Sequence, residues 1–237
     1  MNSITTTPVR AVLFDATGTL LLHREPVGET YRRFALEFGV DLPAARIAEA
    51  FGRIFPREDR MVFPGEPRER RPTLERQWWW RLVRSTFRAA DSTAQFSDFE
   101  AYFERLWSHY AGAAAWQLAP GTRHALDALR ARQVPMAVVS NFDHRLPNIL
   151  EELGVIEYFQ SITIPAEAGA AKPDRRIFDA ALKGLGDPAR RAIYVGDRAV
   201  EDVAGARSAG LLPIQVRSLA TLAELPTRID ALEQEME

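Results

Sequence analysis

Cysteine is absent from the 237 residues, and of thirty basic side chains only Lys172 and Lys183 are lysine. Without thiols there is no disulfide framework, no thiolate nucleophile and no sulfur-ligated zinc site, which suits a reducing compartment and leads us to expect a cytoplasmic protein. Long hydrophobic runs are missing too. None approaches the roughly 18 apolar residues of a membrane span, and residues 1–8 lack the basic and apolar regions of a secretory leader. A surplus of either charge is a third absence: the formal net charge is -2, far from the basic footprint of a nucleic-acid binder. Neither nucleic acid nor membrane is therefore expected as a partner. One local exception runs through 51–90, where ten arginines face five acidic residues. It reads first as a solvated helix face and second as a lure for an anionic substrate.

What is present is an ordinary globular composition in a chain long enough for one large domain, or for a domain carrying an inserted module. Apolar runs at 9–14, 136–139, 162–164, 193–195 and 211–216 read as strands, several of them apolar throughout, as strands covered on both faces are. Helical stripes lie between them: Leu126, Leu129 and Gln133 in one, Ile177, Phe178, Ala181, Leu182 and Leu185 in another. Strands alternating with helices predict an α/β fold with a parallel sheet. The interval 23–116 breaks that alternation. Tyr31, Phe34, Ala35 and Phe38 form one helical stripe, Trp79, Leu82, Val83 and Phe87 a second, and Phe96, Phe99, Phe103, Leu106, Trp107 and Tyr110 a third. Such stripes read as helix-packing core, and Phe63-Pro64-Gly65-Glu66-Pro67 as a loop between helices. The expected division is a core of 1–22 and 117–237 interrupted by a helical module at 23–116, with hinges near 22–26 and 111–121.

Four signals then fall at or just beyond the strand ends, where open parallel sheets bind ligands. They are Asp15-Ala16-Thr17-Gly18-Thr19-Leu20, Val138-Val139-Ser140-Asn141, Lys172-Pro173-Asp174, and Val195-Gly196-Asp197 with Glu201-Asp202. A carboxylate at a strand tip can act as a nucleophile, as in aspartyl-phosphate chemistry. Attack on a phosphate dianion needs positive charge, which Lys172 supplies. A Mg²⁺ ion held by the hard oxygens of Asp15, Asp197 and Asp202 would supply more. Ser140 and neighbouring backbone N–H groups can donate hydrogen bonds to phosphoryl oxygens.

In this order the four signals resemble the haloacid dehalogenase superfamily, and the resemblance covers the whole chain. Segments Arg76-Gln77-Trp78-Trp79, Ser140-Asn141-Phe142-Asp143 and Lys172-Pro173-Asp174 resemble one subgroup more narrowly. The resemblance implies a Rossmann-like core with an inserted α-helical cap, a phosphorylated small-molecule substrate, Mg²⁺ and an aspartyl intermediate. It makes Asp15, Thr17, Ser140 and Lys172 the catalytic set and Thr19, Ser140, Asn141 and Lys172 the phosphate contacts. Asp15, Asp197, Asp202 and the backbone carbonyl of Thr17 become the metal ligands. The departure is Thr17 itself, because phosphatases of the superfamily usually carry a second Asp there to protonate the leaving group and then activate water. Losing such an acid/base forfeits about 10²–10⁴-fold in rate, least for leaving groups that need little protonation, such as acyl or aryl phosphates. His23 and His144 are candidate substitute acids, and Glu201 a candidate for the metal shell or for solvent. Phe63, Arg57, Arg60, Arg68 and Trp78 are candidates for substrate specificity.

Three other readings stand beside the Mg²⁺-dependent phosphatase. One is a metal-independent carbon–halogen hydrolase, whose Asp nucleophile needs no acid two residues on; the acidic pair Asp197 and Asp202, and the lack of an aromatic residue at position 17, weigh against it. Another is a phosphonate hydrolase, which would need a lysine in the cap, where this chain has none. The third is a phosphate- or partner-binding protein that has lost turnover, which Thr17 favours and the retained Asp15, Lys172, Asp197 and Asp202 disfavour.

Overall fold

The computed structural model describes residues 9–186 and 191–235. Residues 1–8, read above for a leader, and the extreme ends of the expected core segments lie outside the described residues. The chain begins with strands β1 (Ala11–Phe14) and β2 (Leu21–His23), then four helices: α1 (Val27–Glu37), α2 (Ala44–Ile54), α3 (Arg71–Ala90) and α4 (Phe99–His109). It continues through β3 (Trp116–Leu118), α5 (Thr122–Ala131), β4 (Met136–Val139), α6 (Leu146–Glu152), β5 (Ser161–Thr163) and the single turn α7 (Pro165–Ala168). The last elements are α8 (Arg175–Gly184), β6 (Ala192–Gly196), α9 (Gly205–Ser208), β7 (Leu212–Gln215) and α10 (Leu225–Glu235).

Five strands pair in the order β5-β4-β1-β6-β7, every pairing parallel. Side chains alternate across a strand, so one sheet sorts its own apolar residues into two cores. Val12, Phe14, Val138, Ile193 and Val195 pack on one face with α5, α6 and α10, while Leu13, Ala137, Val139 and Tyr194 pack on the other with α8 and α9. The all-buried patterns of β1, β4 and β6 follow from that double cover. The expected apolar runs are these five strands, their ends displaced by one or two residues. Strand β1 is central, with the chain winding away from it in both directions, so the carboxyl ends of β1, β4 and β6 open onto one crevice.

Helices α1 to α4 are inserted between β2 and β3 and have a core of their own, in which Tyr31, Phe34, Ile47, Val83, Phe87 and Tyr102 are buried. Strands β2 and β3, three residues each and too short to show in the sequence pattern, pair antiparallel as Leu21↔Leu118, Leu22↔Gln117 and His23↔Trp116. The expected borders at 22/23 and 116/117 therefore cut this ribbon, whose Leu21 and Trp116 are packed into the core of the sheet. Four helical stripes overshoot their helices, two of them by one residue, with Phe38 just past α1 and Leu185 just past α8. Gln133 lies beyond α5 in a left-handed conformation, φ 57°, and Phe96 and Tyr110 lie outside α4. Among the described residues no helix is long and apolar enough to cross a membrane.

Candidate active site

Asp15 follows directly on β1, and its N–H bonds to the Val195 carbonyl at 2.8 Å, carrying the parallel pairing with β6 one residue past the strand. The chain then folds back on itself: the N–H groups of Thr19, Leu20 and Leu21 all point at the Ala16 carbonyl. Gly18 makes this possible, with φ 88° and a missing Cβ that would otherwise stand 2.6 Å from an Asp197 carboxylate oxygen. The backbone of the first motif is thereby laid against the side chain of the fourth. Gly196 plays the same part from the other side, since a Cβ there would lie 2.5 Å from Asp202.

Lys172 reaches into this pocket from the loop ahead of α8 and is buried, 3 % exposed. Its ammonium spends its three donors on Asp15 Oδ1 at 2.6 Å, Asp202 Oδ1 at 2.6 Å and the Tyr194 hydroxyl at 2.8 Å. Ser140, one residue past β4, donates to Asp15 Oδ1 at 3.1 Å. Asp202 lies in a π-helical turn, Ala199–Ala204, and its second oxygen accepts the N–H groups of Asp197 at 3.0 Å and Arg198 at 2.8 Å. Burial opposes charge on all of these groups, the attraction between them favours it, and the balance differs from one to the next. Burial raises the Asp15 carboxyl above its ordinary value despite Lys172. For Asp202, burial is outweighed by Lys172 and the surrounding donors, which hold it below the usual range. Lys172 is lowered by burial but held above its ordinary value by the two carboxylates.

Asp197 completes the cluster, and the carboxylates of Asp15, Asp197 and Asp202 lie within 4.8 Å of one another. Asp197 Oδ1 is buried without a hydrogen-bond partner among the described residues. Its carboxyl is pushed up to about 6 by burial, then by the charges of Asp15 and Asp202. Three carboxylates against one ammonium, all oxygen donors, with one oxygen orphaned, fit a hard divalent cation such as Mg²⁺. Asp202 enters such a site with both oxygens already accepting hydrogen bonds, so in this geometry it anchors Lys172 and the 197–198 loop. Asp197, with its orphaned Oδ1, and Asp15, whose two side-chain hydrogen bonds both fall on Oδ1, are the carboxylates with an oxygen to spare.

The other expected site residues divide sharply. Thr17 borders the cavity above Asp15. Thr19 is buried 4 residues from Asp15 in sequence, yet it does not border that cavity, and its hydroxyl is unpartnered among the described residues. Asn141 borders the cavity, but its side-chain amide is spent on the Lys172 backbone, donating to the carbonyl at 2.9 Å and accepting the N–H at 2.8 Å. It positions the lysine and leaves only backbone for a phosphate. His144 is drawn away, its Nδ1 against the carboxylate of Glu75, a fully buried residue of α3. His23 does border the cavity, tilted against Trp116 with ring centroids 4.3 Å apart, and burial lowers its pKa, so near neutral pH it is in the wrong form to give up a proton. Glu201 is partly buried and turned toward the insert. It accepts from Arg60 of the insert at 2.9 Å.

A cavity of about 240 Å³ extends from Asp15 into the insert. Of the five expected specificity candidates only Arg60 borders it; Trp78 and Phe63 pack inside the insert, and Arg57 and Arg68 are exposed. Its wall is instead aromatic, and it is fastened to the core by residues to which the sequence assigned no role. Buried Asp143 accepts from Arg145 at 2.8 and 2.6 Å and from the Trp79 indole at 2.7 Å. The Arg145 guanidinium lies 3.6 Å over the Trp107 ring. Tyr194 was hidden too, as one more β-former inside an apolar strand.

Residues 9–210 match the haloacid dehalogenase-like hydrolase family. The haloacid dehalogenase-like hydrolase domain-containing protein 3 of Danio rerio is 34% identical over 205 residues, spanning 86% of this chain and 83% of that protein. Among solved structures, the HAD-hydrolase YfnB of Bacillus subtilis, bound to magnesium, superposes with a TM-score of 0.71 at 18% identity, covering 94% of this chain and 99% of its own. A 2-haloacid dehalogenase from Pseudomonas syringae pv. Tomato DC3000 gives 0.62 at 20% identity, covering 94% and 98%. With the parallel sheet, the carboxylate cluster and the family match in agreement, the chain belongs to the haloacid dehalogenase-like hydrolase family.

Proposed function

We propose that the chain is a Mg²⁺-dependent phosphatase that works through an aspartyl-phosphate on Asp15, under a helical cap formed by α1 to α4. The observation that carries this reading is the cluster of three carboxylates, in which buried Asp15 and Asp202 share Lys172 and half-buried Asp197 brings an orphaned oxygen beside them. An anion cannot approach that set unaided, and a bound divalent cation supplies the neutralising charge and polarises the phosphoryl oxygens. Asp15, Asp197 and the Thr17 carbonyl would hold it, with Asp202 beside them.

Asp15 attacks phosphorus, the ester P–O bond breaks, and the electron pair leaves with the departing oxygen. Ser140 turns its hydroxyl from Asp15 toward a phosphoryl oxygen, and Lys172 balances the charge carried by the transferring group. Water then cleaves the aspartyl-phosphate. The threonine at position 17 offers no acid for the leaving oxygen and no base for the water. Substrates that leave readily as anions are therefore favoured.

The 2-haloacid dehalogenase among the structural neighbours keeps a second reading in view. A haloacid brings its own carboxylate, and the arginines beside this cavity already have acidic partners: Arg145 with Asp143, Arg60 with Glu201. The test is a phosphate-ester and acyl-phosphate screen with Mg²⁺ and with chelator, run on the wild type and on Asp15→Asn. Phosphate release that needs Mg²⁺ and vanishes in the variant is expected. Unchanged turnover in the variant sinks the nucleophile assignment, and chloride release from 2-haloacids in chelator establishes the dehalogenase instead.

A further inference from the structure

Resting on the phosphatase reading, we infer that the substrate is an aryl phosphate, a monoester whose leaving group is a flat, neutral aromatic ring. Three independent observations point there. The first is the wall of the cavity. Tyr31, Phe55, Trp79 and Phe103 line it from the insert, and Trp116 and Phe142 from the core. Aromatic walls reward a ring through stacked and edge-on contacts. His23 Nδ1 and the Tyr110 hydroxyl, unpartnered among the described residues, offer hydrogen bonds to one substituent but not to every hydroxyl of a polyol, which would lose water without replacement.

The second is charge. Three arginines border the cavity, and each lies beside a carboxylate: Arg145 on Asp143 at 2.6 Å, Arg60 on Glu201 at 2.9 Å, and Arg198 at 3.8 Å from the same Glu201. Arg145 and Arg60 each hold a carboxylate at hydrogen-bond distance, while Arg198, whose side chain is 52% exposed, only shares Glu201 with Arg60. The two matched arginines offer no free charge to a second anionic group, so a neutral leaving group fits the aromatic walls. The volume agrees, since about 240 Å³ exceeds the ~150 Å³ cavity known to hold a benzene ring.

The third is chemical. With threonine at position 17, the ester oxygen leaves without a proton donor. A phenol ionises near pH ~10, as the tyrosine side chain does, so a phenolate departs with its electron pair far more readily than a sugar alkoxide. The cavity and the missing acid select the same molecule. Asp15 gains the phosphoryl group, the aryl C–O bond stays intact, and the phenolate takes its proton from solvent.

The test compares 2-naphthyl phosphate, acetyl phosphate and glucose 6-phosphate with Mg²⁺, and titrates 2-naphthol into the Asp15→Asn protein by quenching of tryptophan fluorescence. Acetyl phosphate reports the core chemistry without a ring. We expect kcat/KM for naphthyl phosphate to exceed that for either other substrate by about tenfold or more, with 2-naphthol binding weakened about tenfold by Phe55→Ala. Phe51→Ala, in the layer stacked on Phe55 at 5.2 Å, is a second variant for the case that the first does not melt cooperatively. Mg²⁺-dependent hydrolysis of acetyl phosphate, lost in Asp15→Asn, with no preference for the aryl ester and no naphthol binding, overturns the aryl inference and leaves the phosphatase standing. Naphthol binding without turnover of any phosphate overturns the phosphatase reading and the aryl substrate with it.

Discussion

At the scale of single residues, the site is defined by what each carboxylate is given to hold. Asp15 and Asp202 share Lys172, while Asp197 keeps an oxygen unpaired. Asp15, Ser140, Lys172 and Asp197 were legible because each follows an apolar run at a distance that a parallel sheet converts into proximity. Tyr194 and the Asp143–Arg145 pair were not. A tyrosine within a strand reads as packing, and an Asp two residues from an Arg reads as surface. Under the proposed phosphatase chemistry, Thr17 is the residue on which rate would turn. Thr17→Asp is expected to raise kcat/KM on alkyl phosphate esters by about 10–10²-fold with a smaller gain on aryl esters, measured as phosphate release. An equal gain on both classes would mean that proton transfer is not what position 17 withholds.

At the scale of elements, turns and loops carry the geometry, and the helices carry the wall. Gly18→Ala places a Cβ on a left-handed backbone against Asp197. A loss of about 1–3 kcal/mol in chemical denaturation is expected, together with a reduced rise in Tm on adding Mg²⁺. The loop after β4 has its own electrostatic signature. Burial works against ionised Asp143, yet Arg145 holds its carboxyl below the ordinary value, so the folded pKa is lower than the unfolded ~3.9. That pair contributes stability above about pH 4, and the contribution drains away as pH falls through the depressed folded value. Asp143→Asn should therefore lower Tm at neutral pH and flatten its fall below pH 4; a parallel acid limb in both proteins would assign the acid loss elsewhere. Specificity candidates were misplaced at this scale for a geometric reason. Adjacent residues on a helix differ by about 100° in direction, so Trp78 turns into the insert while Trp79 faces the cavity. Composition marks a tryptophan-rich helix, but only the packing of α3 says which ring meets the ligand.

At the scale of the molecule, the parallel sheet and the helical insert each own a core, and polar ties join them. Arg60 meets Glu201, Arg68 meets Glu167 at 3.1 Å, and Arg71 donates to the Ala166 carbonyl at 2.7 Å. Partly exposed pairs of this kind contribute about 0–1 kcal/mol each and are screened by salt. Raising NaCl to 1 M should speed amide hydrogen exchange in 55–70 while leaving β1, β4 and β6 protected; uniform acceleration would show that the two cores open as one. The alternation of strands and helices made the sheet legible from sequence. The ribbon of β2 and β3 escaped because three residues cannot establish a period.

That ribbon sets how the insert is attached to the sheet. Both chain crossings are zipped together from Leu21↔Leu118 to His23↔Trp116, so the insert hangs on one short axle rather than on two independent tethers. His23 and Trp116 lie on the ribbon itself, whereas Phe55 and Trp79 belong to the insert. Under the aryl-phosphate proposal, a ring in the cavity would stand between one wall carried by the ribbon and another carried by the insert, so any shift of the insert about the ribbon would change the width of the ring's slot.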